Sequence, residues 1–158
     1  GHPGAAGCSL AYENLEKFKT YLEKIAEQKL KDEDLVPVLE IDYQAKPEEI
    51  NWQIYEQIES FAPFGQANPR PLFLLSKLEI TDLRTVGNNR KLLKLELGIK
   101  NWELGITKKF KAIGFNCGTK CEEIKIGDKV DLVFELIVDE WDGSRELQLK
   151  IIDIHKVE

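Results

Sequence analysis

The chain has 158 residues, 42% hydrophobic and 32% charged, enough for one good core or two small ones in a soluble globular protein. No apolar run approaches the roughly 18 residues a membrane-spanning helix needs. The opening Gly1-His2-Pro3-Gly4-Ala5-Ala6-Gly7 lacks the basic and apolar regions of a signal peptide, so a cytoplasmic protein without a membrane partner is expected. Cys8, Cys117 and Cys121 are an odd number and read as free thiols in a reducing compartment. The spacing of Cys117 and Cys121, with only two histidines far away, argues against a zinc site.

In chain order, Leu15, Phe18, Leu22, Ile25 and Ala26 recur at helical spacing and predict an amphipathic helix over about Glu13 to Lys29. Val36-Pro-Val-Leu-Glu-Ile-Asp-Tyr43 alternates from Val38 onward and predicts a strand, with Pro37 near its start, where a missing donor matters least. Pro47 with Glu48 and Glu49 marks a second helix start, followed by Ile50, Ile54 and Ile58 on one face. This half is too small to stand alone, and its apolar faces call for a partner region. Phe61-Ala-Pro-Phe-Gly-Gln-Ala-Asn-Pro-Arg-Pro71 holds three prolines, which exclude a helix or a central strand and predict a shaped, ordered connection.

After Pro71 the apolar period changes from 3.6 to 2. Strands are predicted over Leu72 to Leu83, Leu92 to Ile99 and Phe110 to Phe115, then a short helical or turn segment over Gly118 to Ile124. Gly127-Asp128 turns into a long strand, Lys129 to Asp139; Trp141-Asp142-Gly143-Ser144 turns into Glu146 to Ile154, which alternates with one slip. Five strands with a short helical segment between the third and fourth is the order of an OB-fold, whose second and third strands and flanking loops bind oligonucleotides. The expected fold is an α+β N-terminal fragment followed by an all-β five-stranded OB-fold barrel.

The net charge of −6 argues against nucleic acid, yet its distribution does not. Residues 1–71 carry seven Lys/Arg and thirteen Asp/Glu, while Arg84 to Lys120 holds nine bases against only Glu96 and Glu103, a window of +7. Such a local field can hold a phosphate backbone even on an acidic protein. Arg84 and Arg90 fall in the loop between the first two strands; Lys91, Lys94, Lys109, Phe110 and Lys111 on the second and third; Trp141 and Arg145 between the last two. Cations interleaved with Trp102, Phe110 and Trp141 suit a single strand, phosphates on the cations and bases on the rings. For Phe110, core and contact both stay open; Trp141 is expected to be exposed.

The segment FAPFGQANPRPLFLL resembles the linker of the bacterial RecJ family, single-strand-specific exonucleases of the DHH phosphoesterase superfamily, in which Pro-Phe-Gly-x-x-Asn-Pro-x-Pro precedes an OB-fold. DEWDGSRELQLKIIDI resembles the last two strands of that domain. GHPGAAGCSLAYENLEKF resembles the end of the DHH-associated domain, where Gly-Gly-His-x-x-Ala-Ala-Gly binds the substrate strand. Gly1, His2, Ala5, Ala6 and Gly7 match that motif; its first glycine is absent, so the chain is expected to begin inside it. The resemblance implies residues 1–60 as the end of a DHH-associated domain, 61–71 as an ordered linker and 72–158 as the OB-fold. It also implies a parent enzyme that cleaves single-stranded DNA from the 5′ end with Mn²⁺ or Mg²⁺ in repair and recombination. No Asp-His-His motif occurs here, so no catalytic residue, metal site or cofactor is assigned to this chain, which is expected to bind and not to cleave. Expected partners are single-stranded DNA, the parent's own N-terminal DHH domain, and a single-stranded-DNA-binding protein or helicase. Two alternatives are an OB-fold module that recruits a repair protein and a tRNA-binding module of an alanyl-tRNA-synthetase-like protein. Arg70 has two readings, contact with the strand or a purely orienting role for its segment.

Overall fold

The computed structural model describes residues 4–86, 92–101, 106–115, 123–141 and 143–157, with only the backbone of 100, 101, 106, 107 and 141. The segment 118–122, most of the predicted helical turn, lies outside them. The chain forms two compact units, Gly1–Leu39 and Glu40–Glu158.

In the first unit, helix α1 spans Leu15–Lys29, entered through a 3₁₀ turn at Tyr12–Asn14. None of its residues is buried, and Leu15 and Leu22 of the predicted apolar stripe are nearly half exposed. Val36 and Val38 are also exposed.

The predicted strand over 36–43 is corrected in the structure. Only β1, Tyr43–Gln44, pairs, in parallel with Phe73 and Leu74. The ladder stops because Asp42 Oδ2 accepts the Leu72 N–H at 2.8 Å, while the Asp42 N–H donates to the Leu72 carbonyl. The second helix is also shorter than predicted. Pro47–Glu49 is a 3₁₀ turn, Ile50 is extended, and Asn51 Oδ1 accepts the Ile54 N–H at 3.0 Å, so α2 runs over Trp52–Glu59. Ile50 and Ile58 are buried in the same core as the barrel.

The linker closes on itself. Asn68 donates its side-chain amide to the carbonyls of Phe61 at 2.8 Å and Pro63 at 3.1 Å, and its backbone bridges to Gly65. Arg70 reaches back to Glu59 on α2 at 2.5 Å, with its guanidinium 4.4 Å from the centroid of the Phe64 ring. The guanidinium's two neighbours belong to α2 and to the linker itself.

Five long strands follow: β2 (Phe73–Val86), β3 (Leu92–Asn101), β4 (Ile106–Phe115), β5 (Lys129–Trp141) and β6 (Ser144–Val157). β2 pairs with β3, β3 with β4, β4 in parallel with β6, β6 with β5, and β5 back with β2, which closes the barrel. One strand can serve two neighbours because β2 is bulged between Leu75 and Leu78, where Lys77 takes φ +59°. Leu93, Leu95 and Leu97 of β3 alternate into the interior against Leu78, Ile80, Leu132, Phe134 and Leu149. The slip in the alternation of β6 is a bulge: Val133 pairs with Asp153 and Phe134 with Ile151, leaving Ile152 outside the ladder and 38% exposed. β5 and β6 pair up to Trp141 opposite Ser144, with Gly143 at φ +76°. Among the described residues no helix is long and apolar enough to cross a membrane.

Candidate nucleic-acid interface

Because side chains alternate along a strand, the leucines that fill the barrel turn their neighbours outward. Lys94 and Glu96 on β3 and Lys109 and Lys111 on β4 therefore share the outer face; Lys94, Lys109 and Lys111 are exposed. The register carries one row across four strands, Asp82 opposite Glu96, Glu96 opposite Lys111, and Lys111 opposite Gln148. The next row sets Arg84 opposite Lys94. These rows line a groove of about 210 Å³, with Asp139 of β5 at its side and the amide of Gln148, 5% exposed, in its floor. Gln148 Nε2 lies 3.5 Å from Asp139 Oδ2.

The charge of this groove differs from that of the sequence window. Arg84, Lys94 and Lys111 line it, and so do Asp82, Glu96 and Asp139. Arg84 Nε pairs with Asp82 at 2.7 Å, and Lys111 Nζ donates to Glu146 Oε2. That hydrogen bond raises the lysine pKa above its ordinary value; desolvation opposes it, and the charges of Glu146, Glu96 and Asp139 add smaller upward contributions. Lys94 has no acidic partner among the described residues.

Other predicted residues fall elsewhere. Phe110 lies opposite Leu97 and is 7% exposed inside the core, so it packs the barrel and presents no free ring face. Lys108 donates to the Ile50 carbonyl at 2.8 Å, and its burial there lowers its pKa, a change Glu48 opposes. Arg145 binds Glu140 at 2.8 Å with its guanidinium 5.4 Å from the Trp52 ring on α2, and it does not line the groove. Ala5, Ala6 and Gly7 are exposed, and a Cβ on Gly7 would meet nothing within 4 Å. Gly1, His2, Arg90, Lys91, Trp102 and the Trp141 side chain lie outside the described residues. Asp82, Asp139, Glu146 and Gln148 were missed by sequence reasoning. The two-residue Asp142-Gly143 turn does carry a signal for two of them, since it sets Asp139 opposite Glu146. Among the described residues no group of three or more His, Cys, Asp or Glu is placed to hold a metal ion.

A closed five-stranded barrel of this order, with a polar groove across its second and third strands, is an OB-fold module. The chain belongs to the RecJ OB domain family, whose model matches residues 41–153. It is 31% identical over 153 residues to the single-stranded-DNA-specific exonuclease RecJ of Bacillus subtilis, covering 97% of this chain and 19% of that protein. It is 29% identical over 158 residues to the enzyme of the same name from Haemophilus influenzae, covering 100% of this chain and 27% of that protein. The chain thus spans about a fifth to a quarter of the length of these relatives. The crystal structure of RecJ from Thermus thermophilus in complex with Mn²⁺ shares the fold, with a TM-score of 0.69 at 20% identity over 95% of this chain and 20% of that one.

Proposed function

We propose that this chain is the single-stranded-DNA-binding C-terminal portion of a longer RecJ-like 5′–3′ exonuclease of DNA repair and recombination. In that enzyme a DHH domain preceding this chain would carry the Mn²⁺ or Mg²⁺ chemistry, and residues 1–60 would complete its DHH-associated domain. The chain alone binds a strand and does not cleave it. The observation that carries this reading is the groove across β2, β3, β4 and β6, in which Arg84, Lys94 and Lys111 lie on adjacent strands of the face that OB-folds use for oligonucleotides. Family membership and the names of the relatives support the same reading.

The test is a titration of labelled oligo-dT at low and at physiological salt. Salt-sensitive binding is expected, and the double reversal Lys94→Glu with Lys111→Glu should abolish it. Binding that is absent, or unaffected by salt and by the reversal, would sink the reading. Incubating the labelled strand with the chain and Mn²⁺ should leave it intact.

A further inference from the structure

Two of the three bases in the groove are already engaged. Lys111, facing Glu146, Glu96 and Asp139, donates to Glu146, and Arg84 is held by Asp82. Both pairs are accessible at the surface, with side-chain exposures of 54% and 52% for Lys111 and Glu146. A phosphate approaching Lys111 meets a carboxylate that already holds the same ammonium.

Resting on the single-strand reading above, we infer that Glu146 attenuates strand binding: it competes with a phosphate for Lys111, so the groove holds a single strand loosely and releases it readily. Asp82 acts in the same way on Arg84. The carboxylates thereby lower both the affinity and its salt dependence, since a carboxylate displaced from its base takes up a cation as the phosphate gives one up, and fewer counterions are released on balance. A loose grip suits a module through which a strand must advance as its end is consumed. Glu146 reaches Lys111 of β4 from β6, whereas Asp82 and Arg84 share β2.

The experiment measures oligo-dT binding by the 158-residue chain and its Glu146→Gln, Lys111→Gln and double variants across a range of salt. Glu146→Gln should bind about two- to fivefold tighter at low salt, the range an exposed ion pair allows. Its plot of log affinity against log salt should steepen by about 0.7, the contribution of one phosphate contact in a single strand. In the Lys111→Gln background the same change should give no gain. Asp82→Asn, on a different strand, should raise affinity in the same direction and guards against a folding defect peculiar to β6. Unchanged affinity and slope in Glu146→Gln, beside a wild type that binds, would overturn the attenuation alone. So would a gain that persists without Lys111, which would mark a general effect of net charge. A wild-type chain without salt-sensitive binding would instead remove the single-strand reading, and the attenuation with it.

Discussion

Asp131 on β5 accepts the backbone N–H of Lys77 on β2 at 2.8 Å, at the bulge where Lys77 takes a left-handed φ of +59°. The carboxylate satisfies a donor that the bulge removes from the ladder, and so secures the bend that lets β2 serve both β3 and β5. A side chain with a Cβ in this region costs about 1–2 kcal/mol. Lys77→Gly is therefore expected within about 1 kcal/mol of the parent, since relief of that cost offsets the added unfolded-state freedom. Lys77→Val should lose about 1–2 kcal/mol more than Lys77→Gly, and Asp131→Ala about 1 kcal/mol. Urea denaturation of the three variants checks the order.

Asn68 gives the linker its shape through two donated hydrogen bonds. Asn68→Ala should cost about 1–2 kcal/mol. Asn68→Asp should cost more, because it replaces a donor by a negative charge facing two carbonyl oxygens. Thermal melts at neutral pH compare them.

With its guanidinium between Glu59 and Phe64, Arg70 is a structural residue. Arg70→Ala should lower stability by about 1 kcal/mol and leave oligo-dT affinity unchanged. A selective loss of affinity would return Arg70 to the binding surface.

Phe110 is part of the barrel core. Phe110→Ala should destabilise by about 3–5 kcal/mol, whereas Phe110→Leu should keep both the fold and the groove. Affinity measured on the leucine variant separates the core role from stacking.

Asp128 accepts from Lys156 at 2.9 Å and from the Lys125 backbone at 2.8 Å, which holds its pKa below the ordinary carboxylate value. The folded pKa is lowered, so its contribution to stability is present above the unfolded value of about 3.9 and is lost as pH falls through the folded one. Asp128→Asn should flatten the dependence of stability on pH in that acidic window, as denaturation across the acidic range would report.

Strand alternation, the Gly127-Asp128 and Asp142-Gly143 turns and the proline-rich linker carried the barrel's order, because period-2 patterning and turn chemistry are local properties of the chain. The same locality misjudged 36–43: its alternation is that of a strand, but a strand needs a ladder, and Asp42 ends the one available at Leu72. The helix expected from Pro47 was cut short by a local cap at Asn51 that hydrophobic spacing does not register.

What only the tertiary structure decided is the charge of the groove. Counted along the chain, the window around Lys94 and Lys111 is strongly basic; counted across the sheet, it is met by Asp82, Asp139 and Glu146, brought in by strand register and barrel closure. Electrostatic interaction depends on distance in space, and a closed sheet sets Glu146 against Lys111 across 35 residues of sequence. Barrel closure likewise assigned Phe110 to the interior and Arg145 to α2. The sequence by itself determined the module and its family resemblance, while the packing of strands determined which of its cations remain available to a ligand.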